Sequence, residues 1–544
     1  MKEQSTGRSF ISLSFASILV KIMSLLYVPI IIRILGDEGY GIYLASYDIF
    51  SLIYVITNSG MQIAIAKQVA EFVAINESQN ILKAFQIGNR ILFIIGFVGS
   101  IVLFLIAKPI SSLIGSERAY LGILFLSPTI FFTSILAGYR GLFQGISNMT
   151  PIALSQVLEQ ICNIFISIFC ASMLVNNSLE LGAAGGTVGT TVGAIIAIIF
   201  LCMTMRKQRI LYNLNISVPY LNCELERRES DSTKDIIFTF FKYGIPVILT
   251  SGIQYVGAVI DLALVKNRLM FAGFDYSTGD ILYGLLGKYK TLIYVPLAII
   301  AALSAAVIPS LVKSVVLKDR NNLFKKIRFA LKTSLSISIP SCVGLALLSR
   351  PIYLILFSAE YSSGYTLMLY GSSLVVFMSI VQIQTTILQG LNKFYSVFTS
   401  LFIGVLLKLL SNYFLVGIPS ININGAIIGS IVGFLVPMII NGILIKKYIG
   451  FKGMGLINSI KPFISSIVMG IFIIIFYKFN SFLFMNNNSI IIKYLTFGLV
   501  VIFGCIVYFV FIVVLRYFNK EDLEFIPSSI IRIIPKKIMS KFFN

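Results

Sequence analysis

Apolar runs of membrane-spanning length recur from one end of this chain to the other, and nothing else in the sequence limits the fold as much. A helix rising 1.5 Å per residue needs about 20 mostly apolar residues to cross a bilayer. On that rule spans fall near 9–34, 41–66, 84–107, 119–145, 151–175, 182–205, 237–265, 280–312, 328–356, 363–390, 394–418, 424–446, 457–478 and 490–516. That is about fourteen crossings. Charged residues make up 12% of the 544, about half the share in a soluble protein. The expected fold class is therefore an all-α polytopic membrane protein. The basic N-terminus reads as an uncleaved first span, because its apolar run is broken by Lys21 and has no small-residue cleavage site.

Lys and Arg number 43 against 22 Asp and Glu, for a net charge of +21. Cytoplasmic loops of membrane proteins collect such cations, which accounts for the excess without a nucleic-acid partner. One alternating set of loops holds Lys67, Lys83, Arg206, Lys207, Arg227, Lys325, Lys393, Lys446 and the C-terminal basic tail. The other holds Asp37, Glu38, Glu117, Glu180, Asp275 and Asp280, with Lys266 and Arg268 as exceptions. The first set is expected to be cytoplasmic, together with both termini. Glu224–Lys234 is the longest charged run and reads as a solvated linker.

Polar residues recur on single faces of apolar helices, at the i, i+3/4, i+7 spacing of a helix. Gln156, Glu159, Gln160, Asn163 and Ser167 share one face, with Thr150 and Pro151 suited to open that helix. Asp48, Asn58 and Gln62 fall on a second face, Gln254 and Asp261 on a third, Gln382 and Gln389 on a fourth. Lys21, Lys288, Lys290 and Lys408 place cations within or near spans, and Arg140 lies near a helix end. Charge at mid-membrane is costly and must face protein or water. Ser, Thr and Gln also serve simply to bridge helices, and Arg140 could equally snorkel to the interface. Together these residues outline a polar, net cationic cavity suited to an anionic head group.

Several chemistries are excluded. With no His, the commonest neutral-pH acid/base group and metal ligand is missing. The six Cys show no metal-like spacing. No P-loop, HExxH or GxSxG element occurs in a fitting context. A transporter is expected, not an enzyme, with no metal and no cofactor beyond a coupling ion, Na⁺ or H⁺.

The halves echo each other. Gln144-Gly145 closes one span and Gln389-Gly390 closes another, 245 positions later. A repeat of this length marks a two-bundle transporter.

LGDEGYGIYLASYDIF (35–50), RGLFQGISNMTPIALSQVLEQ (140–160) and YGLLGKYKTLIYVPLAIIAALSAAVIPSL (283–311) resemble the polysaccharide-transporter branch of the multidrug/oligosaccharidyl-lipid/polysaccharide exporter superfamily. This group includes MurJ-type lipid II flippases and sporulation proteins. The resemblance implies two six-helix lobes around a central cavity plus two C-terminal helices. The corresponding division is 1–205, a cytoplasmic linker 206–236, 237–447, and 448–544. It implies alternating access in the cytoplasmic membrane, with an undecaprenyl-pyrophosphate-linked peptidoglycan precursor as substrate and membrane lipids and cell-wall synthases as partners. A family arginine of the first span corresponds to Lys21, and a second to the uncharged Tyr27. Export of another lipid-linked glycan and multidrug/cation antiport are the rival readings.

Overall fold

The computed structural model describes residues 6–74, 78–212, 233–316, 319–357, 364–451, 460–483 and 490–519. Most of the charged linker and the basic tail therefore lie outside the described residues. Every regular element among those described is helical. In chain order they are α1 (Thr6–Tyr54), one π-helical turn (Val55–Ser59), α2 (Gly60–Ala74), α3 (Ser78–Leu113), a 3₁₀ turn (Glu117–Ala119), α4 (Tyr120–Gly145), α5 (Met149–Leu174), α6 (Leu179–Tyr212), α7 (Thr233–Phe271) and α8 (Tyr276–Val316). There follow α9 (Arg320–Leu347), α10 (Ser349–Phe357), α11 (Gly364–Gly371), α12 (Leu374–Gly390), α13 (Phe394–Val416), α14 (Asn424–Ile449), α15 (Ile460–Leu483) and α16 (Ile490–Val514).

Twelve helices among the described residues are long and apolar enough to cross a membrane, and the bent pair α11–α12 brings the number to thirteen. The stretch Phe15–Val73 counts as one of these, at 59 residues. As one straight rod it would reach about 90 Å, three times the hydrocarbon thickness of about 30 Å. Gly36 breaks it, with φ 68° and ψ 178°, a backbone geometry that glycine alone adopts cheaply. Where the sequence suggests a polar loop between spans 9–34 and 41–66, the chain redirects at this single residue. Likewise the span expected at 363–390 is bent by 48° between α11 and α12.

The repeat seen in the sequence is also a repeat of turn geometry. After Gln144, Ser147 takes φ 57° and the Asn148 amide donates back to Phe143 O at 3.0 Å. After Gln389, Asn392 takes φ 59° and the Lys393 amide donates to Leu388 O at 2.9 Å. Each is a helix end closed by a left-handed residue and a returning amide, and all four residues of one correspond to the other at the same 245-residue spacing.

The chain gathers into two compact units, Met1–Gly287 with Lys408–Ala426, and Lys288–Leu407 with Ile427–Asn544. The sequence-based division opens its second lobe at 237, whereas α7 packs on α1, α2 and α3 and falls in the first unit. In that unit Met61, Ile65, Val69, Phe85, Leu92 and Phe240 form one core. Leu136, Phe143, Ile152, Ala194, Ala197 and Leu201 form another. Gly189 and Gly193 let α6 run against the α5 backbone at Asn163 and Glu159, since small residues permit close helix approach.

In the second unit α9 packs on α12 and α15, and α15 on α16. The end of α16 is tied down by lysines. Lys332 Nζ donates to Tyr517 O at 3.3 Å and Lys461 Nζ to Arg516 O at 3.0 Å, while Tyr517 Oη donates to Lys332 O at 3.1 Å. Cations at a helix C-terminus satisfy its last carbonyls and oppose its dipole.

Candidate functional site

The polar face of α5 meets α4 through charge. Arg140 is 9% exposed and points inward. Its Nη2 donates to Glu159 Oε2 at 2.6 Å and its Nε to Ser155 Oγ at 3.2 Å. One turn from Glu159, Gln156 buries an Oε1 with no hydrogen-bond partner among the described residues, and Gln160 is half-buried. Asn163 Oδ1 accepts from Ser167 Oγ at 3.0 Å and from Thr190 Oγ1 of α6 at 3.3 Å.

That last bond extends into a ladder of phenols on α1, of which only Tyr27 stood out in the sequence. Tyr47 is hydrogen-bonded to Thr190. Tyr43 and Tyr47 have ring centroids 4.7 Å apart. Tyr27 Oη lies 3.4 Å from Tyr43 Oη and donates to Gly186 O at 3.4 Å. Tyr27, the position corresponding to a family arginine, is thus buried at 5% exposure in a neutral hydrogen-bond chain. The signal was present as Tyr40, Tyr43, Tyr47 and Tyr54, spaced three, four and seven residues apart on one helix.

Asn58 and Gln62 bridge helices. Asn58, 1% exposed, donates to Thr133 Oγ1 at 3.0 Å and accepts from Ser134 Oγ at 2.5 Å. Gln62 Nε2 donates to Gln144 Oε1 at 3.2 Å. Asp48 accepts from the Tyr283 hydroxyl of α8.

A second ion pair is fully enclosed. Asp261 of α7 accepts from Lys408 Nζ at 2.8 Å through one oxygen and from Asn412 Nδ2 at 2.9 Å through the other. Lys408 also donates to Gly257 O at 3.2 Å. Asp261 is 1% and Lys408 8% exposed. Lys288, buried in the second unit, sits 5.2 Å above the Phe357 ring, with half-buried Lys290 two residues on.

Three polar residues instead remain open on their helices. Lys21 is exposed on α1. The exposed apolar stripe of that helix runs through Phe15, Ile22, Leu26 and Ile30. At about 100° per residue, Lys21 lies more than a third of a turn from the stripe's centre, so its ammonium opens on a different surface. Gln254 is exposed on α7, on the side opposite the exposed Phe241, Ile245 and Leu249. Gln382 is the exposed residue of α12, whose other side chains are buried or half-buried, Gln389 among the latter. Lipid is the wrong neighbour for such groups.

The two cations that broke the loop-charge pattern also find their explanation. Lys266 is ion-paired with Asp280. Arg268 stacks between Phe271 and Tyr413, 4.2 and 4.3 Å from their ring centres. Outside the spans, Asp275 accepts from the Thr278 hydroxyl, which holds its carboxyl below the usual range.

With this arrangement in view, the comparison with known proteins is decisive for family. Residues 6–315, more than half of the chain, match the polysaccharide biosynthesis protein family. The chain belongs to that family. Within the polysaccharide biosynthesis family it is 25% identical over 478 residues to the lipid II flippase MurJ of Bacillus subtilis (strain 168), covering 84% of this chain and 86% of that protein. It is 23% identical over 542 residues to stage V sporulation protein B of the same organism, covering 97% and 98%. A solved structure of lipid II flippase MurJ in an inward closed conformation superposes with a TM-score of 0.65 at 18% identity, covering 93% of this chain and 99% of that one. At that identity the superposition establishes the fold. The chain is a multi-pass membrane protein of the polysaccharide biosynthesis family with the fold of the MurJ flippase.

Proposed function

We propose that this chain is a flippase that moves a lipid-linked, pyrophosphate-bearing glycan precursor across the cytoplasmic membrane by alternating access. The substrate we favour is an undecaprenyl-pyrophosphate-linked peptidoglycan precursor of the lipid II type, made for a spore cortex. The observation that carries the reading is Lys21. An ammonium within a membrane-spanning helix, exposed away from the apolar stripe of that helix, supports a role in attracting a diphosphate head group. A lysine offers a point charge where a guanidinium would offer a two-pronged fork, so Lys21 attracts the anion without fixing its orientation. Gln254, Gln382, Gln160 and Gln389 supply donors and acceptors of the kind a glycan uses. Lys288 and Lys290 add positive potential, and Glu159, paired with Arg140, is the site at which a coupling Na⁺ or H⁺ would bind. The loop charges support a cytoplasmic location for both termini, and cell-wall synthases are the expected partners.

In a strain lacking its lipid II flippases, Lys21→Ala is expected to abolish complementation and Lys21→Arg to retain it, with both variants inserted at wild-type levels. Full complementation by Lys21→Ala would remove the residue from the substrate path. In liposomes, exposure of lipid II at the far leaflet should fall at least tenfold with the same variant.

A further inference from the structure

The loop-charge exceptions lead to a cluster that substrate binding does not use. Arg118 sits in the 3₁₀ turn before α4 and reaches three carboxylates on three other helices. Its Nη1 donates to Glu38, which follows the Gly36 break in α1. Its Nε donates to Glu180 of α6 at 2.6 Å, and Nη1 lies 3.8 Å from Asp280 of α8. Asp280 is in turn paired with Lys266 of α7, whose Nζ also donates to Ser116 Oγ at 2.8 Å. Five elements of the first compact unit are joined at one end by two cations and three anions.

The two tiers of this network differ in cost of opening. The side chains of Arg118, Glu38 and Glu180 are 33%, 29% and 30% exposed. Ion pairs this accessible exchange readily with water and contribute little each. Lys266 and Asp280 are 3% and 4% exposed, and separating them strands a buried charge. The backbones beneath meet without side chains between them. Gly41 of α1 has its missing Cβ directed at the Asp280 backbone, and a Cβ on Gly284 would stand 2.7 Å from Asp37 O. One turn further in, the Leu44 side chain covers Gly287. An easily opened outer tier over a sealed inner pair, above a seam of glycine contacts, is the construction of a clasp.

We infer that the Arg118 hub is a latch at the non-cytoplasmic end, closed in this structure, which holds α1 against α7 and α8 and has to release once per transport cycle. The inference rests on the transporter reading but not on any substrate. Its opening is read without translocation.

The experiment uses full-length protein with its six cysteines replaced by serine and Leu44→Cys as reporter, in intact cells treated with a membrane-impermeant maleimide. Labelling of the reporter should be slow with the latch intact. Arg118→Gln should raise it several-fold and Glu180→Gln by less. The exchange of Arg118→Glu with Glu180→Arg should return it toward the starting rate, which a merely misfolded variant would not do. Labelling unchanged by both Arg118→Gln and Glu180→Gln, or labelling only from the cytoplasmic side, overturns the latch. A second measurement joins Leu44→Cys to Gly287→Cys. Oxidation should stop translocation and reduction restore it, whereas full translocation by the cross-linked protein overturns the requirement for release. If Lys21→Ala proves active while the labelling responds as described, the substrate assignment fails and the latch stands.

Discussion

Two ion pairs of the first unit look alike in sequence and differ in what surrounds them. Arg140–Glu159 and Lys408–Asp261 each join a cation on one spanning helix to a carboxylate on another, at 2.6 and 2.8 Å. The cationic side chains are equally exposed, at 11%. The carboxylates are not, with Glu159 at 23% and Asp261 at 1%. Both Asp261 oxygens are occupied, by Lys408 and Asn412. Glu159 spends Oε2 on Arg140 and leaves Oε1 without a bond among the described residues. A carboxylate with both oxygens hydrogen-bonded in a buried site is a structural tie, because desolvation makes any exchange of partner costly. A carboxylate with one oxygen open to water can take a second partner and release it. Arg140 and Lys408 are thus both neutralised within the fold.

The sharpest way to break this contrast is to remove one member of the sealed pair. Lys408→Met leaves the Asp261 carboxylate buried without its cation, and should destabilise the protein by about 3–5 kcal/mol. A double variant, Asp261→Asn with Lys408→Met, should recover most of that loss. Denaturant unfolding in detergent micelles, arranged as a double-mutant cycle, checks both. A small penalty for Lys408→Met would mean that water reaches Asp261 and that the two pairs are equivalent.

The open pair should respond differently. Arg140→Gln removes a charge-assisted hydrogen bond worth about 2 kcal/mol, but Glu159 can turn to water, so the loss of stability should be less than for Lys408→Met. Its effect on translocation should be the greater of the two relative to stability. Rates in liposomes, normalised to folded protein, test this. Equal ratios for the two variants would remove the functional distinction.

How much of this was legible follows from what a periodicity can say. The 3.6-residue pattern put Glu159 and Asp261 on polar faces of their own helices. It could not say which helix each face meets. Lys408 lies 147 positions from Asp261, and Asn412 carries no signature that distinguishes it from other span asparagines. Arg140 was ambiguous between interface and interior because a long side chain near a helix end has both options. Ser155 and Glu159 across the hairpin decide it. The redirection at Gly36 was legible as a boundary between two apolar runs, but its form was not, since Gly-Asp-Glu suits a loop as well as a one-residue break. Lys266 and Arg268 were visible as anomalies, and only the positions of Asp280, Phe271 and Tyr413 turn those anomalies into contacts.

The smallest effect lies outside the spans and gives a control for both pairs. Asp319 caps α9, accepting from the Asn322 amide at 3.1 Å, and this bond holds its carboxyl below the ordinary carboxylate range. A carboxyl depressed in the folded state stabilises it above the unfolded value of about 4, and that contribution is lost as pH falls through the folded value. Asp319→Ala should therefore lower the thermal midpoint slightly at pH 7, and by less as pH falls below about 4. Its translocation rate should match wild type at neutral pH, because the residue touches neither the polar faces nor either ion pair. If the deficit of Asp319→Ala persists unchanged at pH 3, the cap is not acting through its charge. If Arg140→Gln showed the same pH-dependent pattern and the same unaltered transport, the Arg140–Glu159 pair would be no more than another structural tie.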